Sequence, residues 1–394
     1  MEISCQTIRM ITLKVTHAHV SSLQHDRPGK RPIELFRAAL SEQRLSPIVR
    51  VYNRVRLRLI MMRRSKRAKR KIRSTRRTKA RRVISAQIRS DQESEDFAAG
   101  DKIVRLTNLR KIFWPELRIT KRDLLQFYID LAPVILPHLA GRAMVMKRYP
   151  NGIAGEFFFM KRAPVPRPDW IETCAIEHAS GSLIDFPVIH DVASLIWVVN
   201  LGCIDLNPWY ARCDDVDRPD YLHFDLDPVT GANWGQMLEA ATVVHEALTQ
   251  LKLPAFIKTT GSRGFHIYVP IVRGPTQKQV WSFAKQFALS LVSLRPDLLT
   301  AEYRIAKRPR RRILVDYNQN AWGRTLASIY SVRPQPKATV STPITWDELE
   351  RGVRIEDFRM DNVRQRVKKL GDLWAPLLAQ KDRAKLESFY GAAD

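Results

Sequence analysis

The run Tyr221-Leu222-His223-Phe224-Asp225-Leu226, closed by Asp227-Pro228, constrains this chain most. It is β-prone and ends on a stop signal. On a strand, side chains i and i+2 share a face, so Asp225 and Asp227 point together while Phe224 and Leu226 bury the other side. Two carboxylates that close repel unless a cation lies between them, and hard oxygen ligands select Mg²⁺ or Mn²⁺. Taken alone, the pattern is equally a solvated strand end.

Two further segments narrow the choice. Thr259-Thr260-Gly261-Ser262-Arg263-Gly264-Phe265-His266 is a small-residue turn entering a strand. Such a turn can aim backbone N–H groups at phosphate oxygens, with Ser262, Arg263 and His266 adding a hydroxyl, a forked cation and an imidazole. It lacks the Gly-Lys-Ser/Thr step of a P-loop, and a tight hairpin entry explains it as well. Ile313-Leu314-Val315-Asp316 places a third acid at the end of a β-branched run, beside the cations Lys307, Arg308, Arg310, Arg311 and Arg312.

These segments sit in a mixed pattern that predicts an α/β or α+β fold. Helices are expected over 124–136, 234–251, 277–294, 346–351 and 362–378, the first opened by a T-x-x-D signal at Thr120. Strands are expected over 156–161, 183–188, 265–269 and 312–317. The longest apolar run, Ser194 to Ile204, is too short to span a bilayer, and no secretory signal is evident.

Charge is unevenly spread. Net charge is +26, which points toward a polyanionic partner. Residues 1–100 hold 25 Lys and Arg against 8 Asp and Glu, a balance of +17, and residues 101–394 carry the remaining +9. Arg63 to Arg82 contains 13 cations and no acid. A basic, disordered N-terminal extension over 1–100 is therefore expected, closed by an acidic linker at Asp91–Asp96, with the folded domain over 101–390. The extension reads as a nucleic-acid arm, an unstructured leader or, more weakly, an organellar transit peptide. Cys5, Cys174, Cys203 and Cys213 show no CxxC or zinc-finger spacing, so neither a disulfide nor a zinc is expected and a cytoplasmic setting is the default.

In this order the three segments resemble the polymerase domain of bacterial ATP-dependent DNA ligase D, within the archaeo-eukaryotic primase superfamily. The family's motifs are a D-x-D strand, a Ser/Gly turn followed by a His, and a strand ending in a third Asp. The resemblance continues through Leu106–Pro115, Met146–Gly152, Tyr330–Pro334 and Thr345–Leu349, and covers 103–390. It implies a two-lobed primase-polymerase fold whose catalytic sheet is like an RNA-recognition motif.

It also implies roles. Asp225, Asp227 and Asp316 match the catalytic carboxylates that hold two Mn²⁺ or Mg²⁺ ions. Ser262, Arg263, His266, Gln319, Arg324 and Arg333 match nucleotide contacts, with Arg263 where a Lys is frequent. Lys111 and Lys121 match lysines that recognise a 5′-phosphate on DNA, and Phe158 and Phe159 match a template-stacking pair. One of two neighbouring phenylalanines on a strand would normally face the core.

The implied activity is template-directed addition of NTP or dNTP at gaps and 3′ ends during non-homologous end joining, in a bacterial cytoplasm near the nucleoid. No Lys-x-Asp-Gly motif is found, so a separate ATP-dependent ligase and Ku are the implied partners, with no membrane. De novo priming and catalytically silent end binding are the alternatives. One departure stands out: Asp205-Leu206-Asn207-Pro208-Trp209 replaces a Glu-x-His-Pro-Trp segment common in relatives.

Overall fold

The computed structural model describes residues 87–88, 92–177 and 181–389. Its first element corrects the boundary expected at Asp101. Strand β1 (Glu95–Ala99) turns at Gly100 and pairs antiparallel with β2 (Lys102–Leu106). Phe97, Val104 and Leu106 are buried, so the described fold includes the segment expected to be a linker. Asp96 and Ala98 face solvent while Phe97 faces inward, an alternation that the acidic composition obscures. The basic run Arg63–Arg82 lies outside the described residues.

The ribbon of β3 (Ile112–Trp114) and β4 (Ile119–Thr120) leads into α1 (Lys121–Leu139). Thr120 caps α1 reciprocally: its hydroxyl accepts from the Asp123 N–H, and the Asp123 carboxylate accepts from the Thr120 N–H at 2.7 Å. A three-stranded sheet follows. Its centre is β5 (Met144–Arg148), with β6 (Phe158–Met160) on one edge. The hairpin β7 (Thr173–Glu177) and β8 (Leu183–Pro187) comes next, then α2 (Val192–Asn200), a nine-residue buried helix made from the apolar run. The other edge of the three-stranded sheet is β9 (Cys203–Pro208).

The larger sheet contains β10 (Tyr221–Pro228), α3 (Trp234–Gln250), β11 (Phe256–Thr259), β12 (Phe265–Pro270), α4 (Gln277–Leu294), β13 (Leu299–Thr300) and β14 (Ile313–Asp316) in chain order. With β15 (Pro343–Ile344) it has the spatial order β13-β14-β10-β12-β11-β15. The inner strands and two helices form a βαββαβ unit in which the fourth strand lies beside the first, as the resemblance implied. Apolar residues of α3 and α4 cover the Phe224/Leu226 face: the Phe224 and Phe287 rings lie 4.8 Å apart, and those of Trp234 and Phe265 lie 5.3 Å apart.

The C-terminal part holds α5 (Trp346–Glu350), α6 (Val363–Leu370) and α7 (Ala375–Leu378). The single helix expected over 362–378 is broken because Gly371, at φ +71°, ends α6. One continuous apolar core joins both sheets, and a smaller one packs β5 against the β7–β8 hairpin. At that second core Cys174 and Cys213 form a disulfide with Cα atoms 5.8 Å apart, against the expectation of none. They are 39 residues apart without motif spacing, so only the fold brings them together. Cys203 is free and buried, as expected. Among the described residues no helix is long and apolar enough to cross a membrane.

Candidate active site

Strand register assembles the site. Asp225 on β10 stands directly opposite Asp316 on β14 and His266 on β12, and His266 stands opposite Lys258 on β11. Directly opposed residues share a face, so Asp316, Asp225, His266 and Lys258 form one row across four strands. The row lies on the face away from α3 and α4. Asp227 follows two residues along β10 on the same face.

The charges in this row are poorly compensated. Burial, then the neighbouring Asp316, pushes the Asp225 carboxyl up to about 7. Burial, then Asp225, does the same to Asp227, again to about 7. Asp225 Oδ1 is buried and has no hydrogen bond, although His266 Nε2 lies 3.3 Å from it. The other two carboxylates are engaged elsewhere. Arg263 Nη2 lies 3.6 Å from Asp227 Oδ2, while Asp316 accepts from the Asn318 N–H at 2.9 Å and from Gln319 Nε2 at 3.0 Å. Register gathers the three acids, but among the described residues no three acidic, histidine or cysteine side chains close into a metal cage.

The turn between β11 and β12 differs from expectation in one respect. The N–H groups of Ser262, Arg263 and Gly264 all donate to Thr260 Oγ1, at 3.0, 3.0 and 3.1 Å, rather than pointing out toward an anion. What the turn presents outward is side chains. Arg263 is exposed, and Ser262 Oγ accepts from Gln335 Nε2 at 3.3 Å. Gly264 is obligatory, because a Cβ there would lie 1.8 Å from Leu226 O; only a bare backbone lets the turn meet β10.

Arg333 braces this turn from behind. Its Nη1 donates to Thr260 O at 2.6 Å, and its Nε lies 2.8 Å from Asp205 Oδ1 in an ion pair that lacks hydrogen-bond alignment. Lys147 Nζ lies 3.6 Å from the other Asp205 oxygen. The departing Asp205 segment therefore holds Arg333 and Lys147 in place. Gln319 sits beside Asp316, and Arg324 is exposed on the loop that follows.

Lys258 was missed from sequence. Its side chain is wholly buried, and its Nζ reaches His266 Nδ1 at 2.7 Å, Ala327 O at 2.8 Å and Ser341 Oγ at 2.5 Å. Burial, then Arg333, holds it well below the ordinary lysine range, against the pull of Asp225. Burial, followed by Lys258 and Arg333, likewise holds His266 well below the usual histidine value. Counting back across the Thr260–Gly264 turn would have paired Lys258 with His266, but that requires knowing that the turn closes a hairpin.

A second cationic site lies at the start of α1. Lys121 is buried and donates to Thr107 O at 2.7 Å, and Lys111 donates to Asn151 Oδ1 at 2.7 Å. Burial, then Lys111 and Arg148, lowers Lys121 to about 8, as expected where cations converge near a helix N-terminus. Phe158 and Phe159 are both exposed, at 45% and 61%, which corrects the expectation that one would face the core. Their strand is a three-residue edge, and Arg148 and Lys147 lie 5.1 and 5.8 Å from the Phe158 and Phe159 rings.

Comparison with known proteins agrees with this architecture. A sequence model of the primase-polymerase domain of LigD matches residues 120–374. The chain is 34% identical over 294 residues to the multifunctional non-homologous end joining protein LigD of Mycolicibacterium smegmatis, a match covering 74% of this chain and 38% of that protein. It is 28% identical over 269 residues to the bifunctional non-homologous end joining protein LigD of Bacillus subtilis, covering 68% of this chain and 43% of that one. The chain thus spans about two fifths of the length of these relatives. Among solved structures, the polymerase domain of Mycobacterium tuberculosis ligase D, in complex with DNA, matches with a TM-score of 0.66 and 30% identity, covering 70% of this chain and 98% of that domain. The chain belongs to the LigD primase-polymerase domain family.

Proposed function

We propose that the chain is a template-directed nucleotidyltransferase that extends 3′ ends and fills gaps in DNA, in the end-joining setting named for its relatives. The observation that carries this reading is the row Asp316–Asp225–His266, with Asp227 on the same face and a buried oxygen on Asp225 that makes no hydrogen bond.

The chemistry of this donor set suits a pair of divalent cations, although the three carboxylates do not close into a cage by themselves. All the donors are hard carboxylate oxygens, one buried oxygen makes no hydrogen bond, and two carboxyls are driven up by burial and by the carboxylates beside them. Asp225, Asp227 and Asp316 would hold Mn²⁺ or Mg²⁺, which when bound supply activation of the primer hydroxyl and charge stabilisation at the triphosphate.

The chain's own residues do the positioning. The β10 pleat aims two carboxylates one way, and the dry face under α3 and α4 keeps that strand rigid. Arg263 and His266 border the carboxylates, and Ser262 precedes Arg263 on the turn, so a cation, an imidazole and a hydroxyl are offered to the phosphates of an NTP or dNTP. Lys111, Lys121 and Arg148 suit a 5′-phosphate, while Phe158 and Phe159 offer stacking surfaces for template bases. Gln319 would reach the nucleotide only by leaving Asp316, and Arg324 from its exposed loop. Ku and an ATP-dependent ligase activity would complete the repair.

The test is primer extension on a gapped duplex with a 5′-phosphate, supplied with Mn²⁺ or Mg²⁺ and either ribo- or deoxynucleotides. Metal-dependent extension is expected from the wild type and not from Asp227→Ala. Folded wild-type protein that binds the gap but never extends it would instead make the chain an end-binding module.

A further inference from the structure

We propose that Phe157 and Phe159 form a corner, backed by Lys147, that holds one unpaired base of a template strand. The resemblance implied roles for Phe158 and Phe159 and left Phe157 without one. That the base belongs to a template rests on the function proposed above.

Three consecutive phenylalanines are exposed, Phe157 at 48%, Phe158 at 45% and Phe159 at 61%. Large apolar side chains gathered in this way mark a contact surface, which scattered single residues do not. Strand alternation divides the three. The β5–β6 register sets Phe159 opposite Lys147 and Phe158 opposite Arg148, so these two rings belong to opposite faces. Phe157 stands two residues before Phe159 and joins its side. The two ring centroids are 6.0 Å apart, and Lys147 Nζ lies 4.1 Å from the Phe157 centroid.

The Phe157 and Phe159 rings are perpendicular, at 89°. A base stacked on either ring therefore meets the other edge-on. Such a corner gives one base two contacts and cannot carry a continuous stack of several. Phe157 is supported by the buried Tyr149 ring, 5.4 Å away, and by Lys147.

Charge and position select the occupant. From Met144 to Arg162 the chain carries the cations Lys147, Arg148, Lys161 and Arg162 against a single acid, Glu156. Exposed rings among cations suit a ligand with aromatic faces on a phosphate backbone. Direct contacts also tie the corner to the acid row. Lys147 stands opposite Asp205 in the β5–β9 register and 3.6 Å from it, and Asp205 lies 2.8 Å from Arg333. Arg333 donates to Thr260 O, at the start of the turn that brings Arg263 to Asp227. Phe158 instead accompanies Arg148, one of the cations that lower Lys121. The unpaired base beside the incoming nucleotide is thus met on the Phe157 face, and the 5′-phosphate on the other.

The test uses the full chain and a 5′-phosphorylated duplex with a single-nucleotide gap, whose unpaired template base is 2-aminopurine. Binding of the wild type is expected to quench its fluorescence by stacking. Phe157→Leu should lose most of the quenching and bind about tenfold more weakly, and Phe157→Trp should restore both. A folded Phe157→Leu that quenches and binds like the wild type overturns the proposal. So does an equal loss in Phe158→Leu, which would deny the division between faces. Absence of quenching by the wild type, together with self-association that Phe157→Leu abolishes, would make the patch an interface between copies of this chain and overturn it too. The expected pattern from a chain that extends no primer would uphold the corner and remove only the polymerase reading.

Discussion

Asp220 and Asp225 stand five residues apart, one just before β10 and the other within it, and both are buried. Their surroundings differ completely. Arg142 Nη2 donates to both Asp220 oxygens, at 2.7 and 2.8 Å, and Arg212 Nε donates to one of them at 2.9 Å. Arg142 also donates to Tyr210 O at 2.7 Å and lies 4.5 Å from the Tyr221 ring. Burial pushes the Asp220 carboxyl up, but Arg142 and Arg212 outweigh it and bring the group below its ordinary value. At Asp225 burial is joined by a second carboxylate, and the group rises to about 7. Burial alone therefore does not say what a carboxylate is for. A satisfied one holds the fold, and an unsatisfied one on a rigid strand marks where an external cation would be accommodated.

Asp225→Asn is the sharpest way to break this contrast. Extension is expected to fall by about 10³-fold, the equivalent of several kcal/mol of transition-state stabilisation. The melting temperature in metal-free buffer should stay level or rise, since an uncompensated buried charge is removed. A clear loss of stability would mean that Asp225 is structural after all. Asp220→Asn should do the reverse. It leaves buried arginines without their counter-charge and should cost about 3 kcal/mol of stability, read from urea unfolding. Extension by the surviving folded fraction should be close to normal.

The pH dependence gives a smaller third test. The folded-state pKa of Asp220 lies below its unfolded value, which is about 3.9, so its contribution is complete above that pH and is lost as pH falls through the folded value. The stability gap between wild type and Asp220→Asn should be constant from pH 6 to about 4 and should narrow below that. A gap that widens on acidification would contradict the assignment.

Much of the fold was legible because its periodicities are local. The helices at 234–250 and 277–294 lie where the apolar spacing put them, and the Thr120 cap follows from T-x-x-D. Asp225 and Asp227 on one face follow from the two-residue pleat, which register with β12 and β14 then confirmed. The misses are of another kind. β11 is four residues long and β5 and β9 lack clean alternation, being covered on both sides over much of their length. Phe158 and Phe159 both face outward because a three-residue edge strand has little sheet around it to impose an inner face. The turn N–H groups looked free for an anion until Thr260 Oγ1 proved to occupy all three.

By itself, then, the sequence determined which residues share a face of a strand or helix, where charge accumulates, and which motif order places the chain in its family. These properties depend on neighbours within a few positions, so spacing alone expresses them. Tertiary structure alone decided that Lys258 meets His266, that Asp205 holds Arg333, and that Cys174 meets Cys213. Each of those pairings joins two elements whose register follows from the burial of the whole sheet and core, a sum that no local window contains.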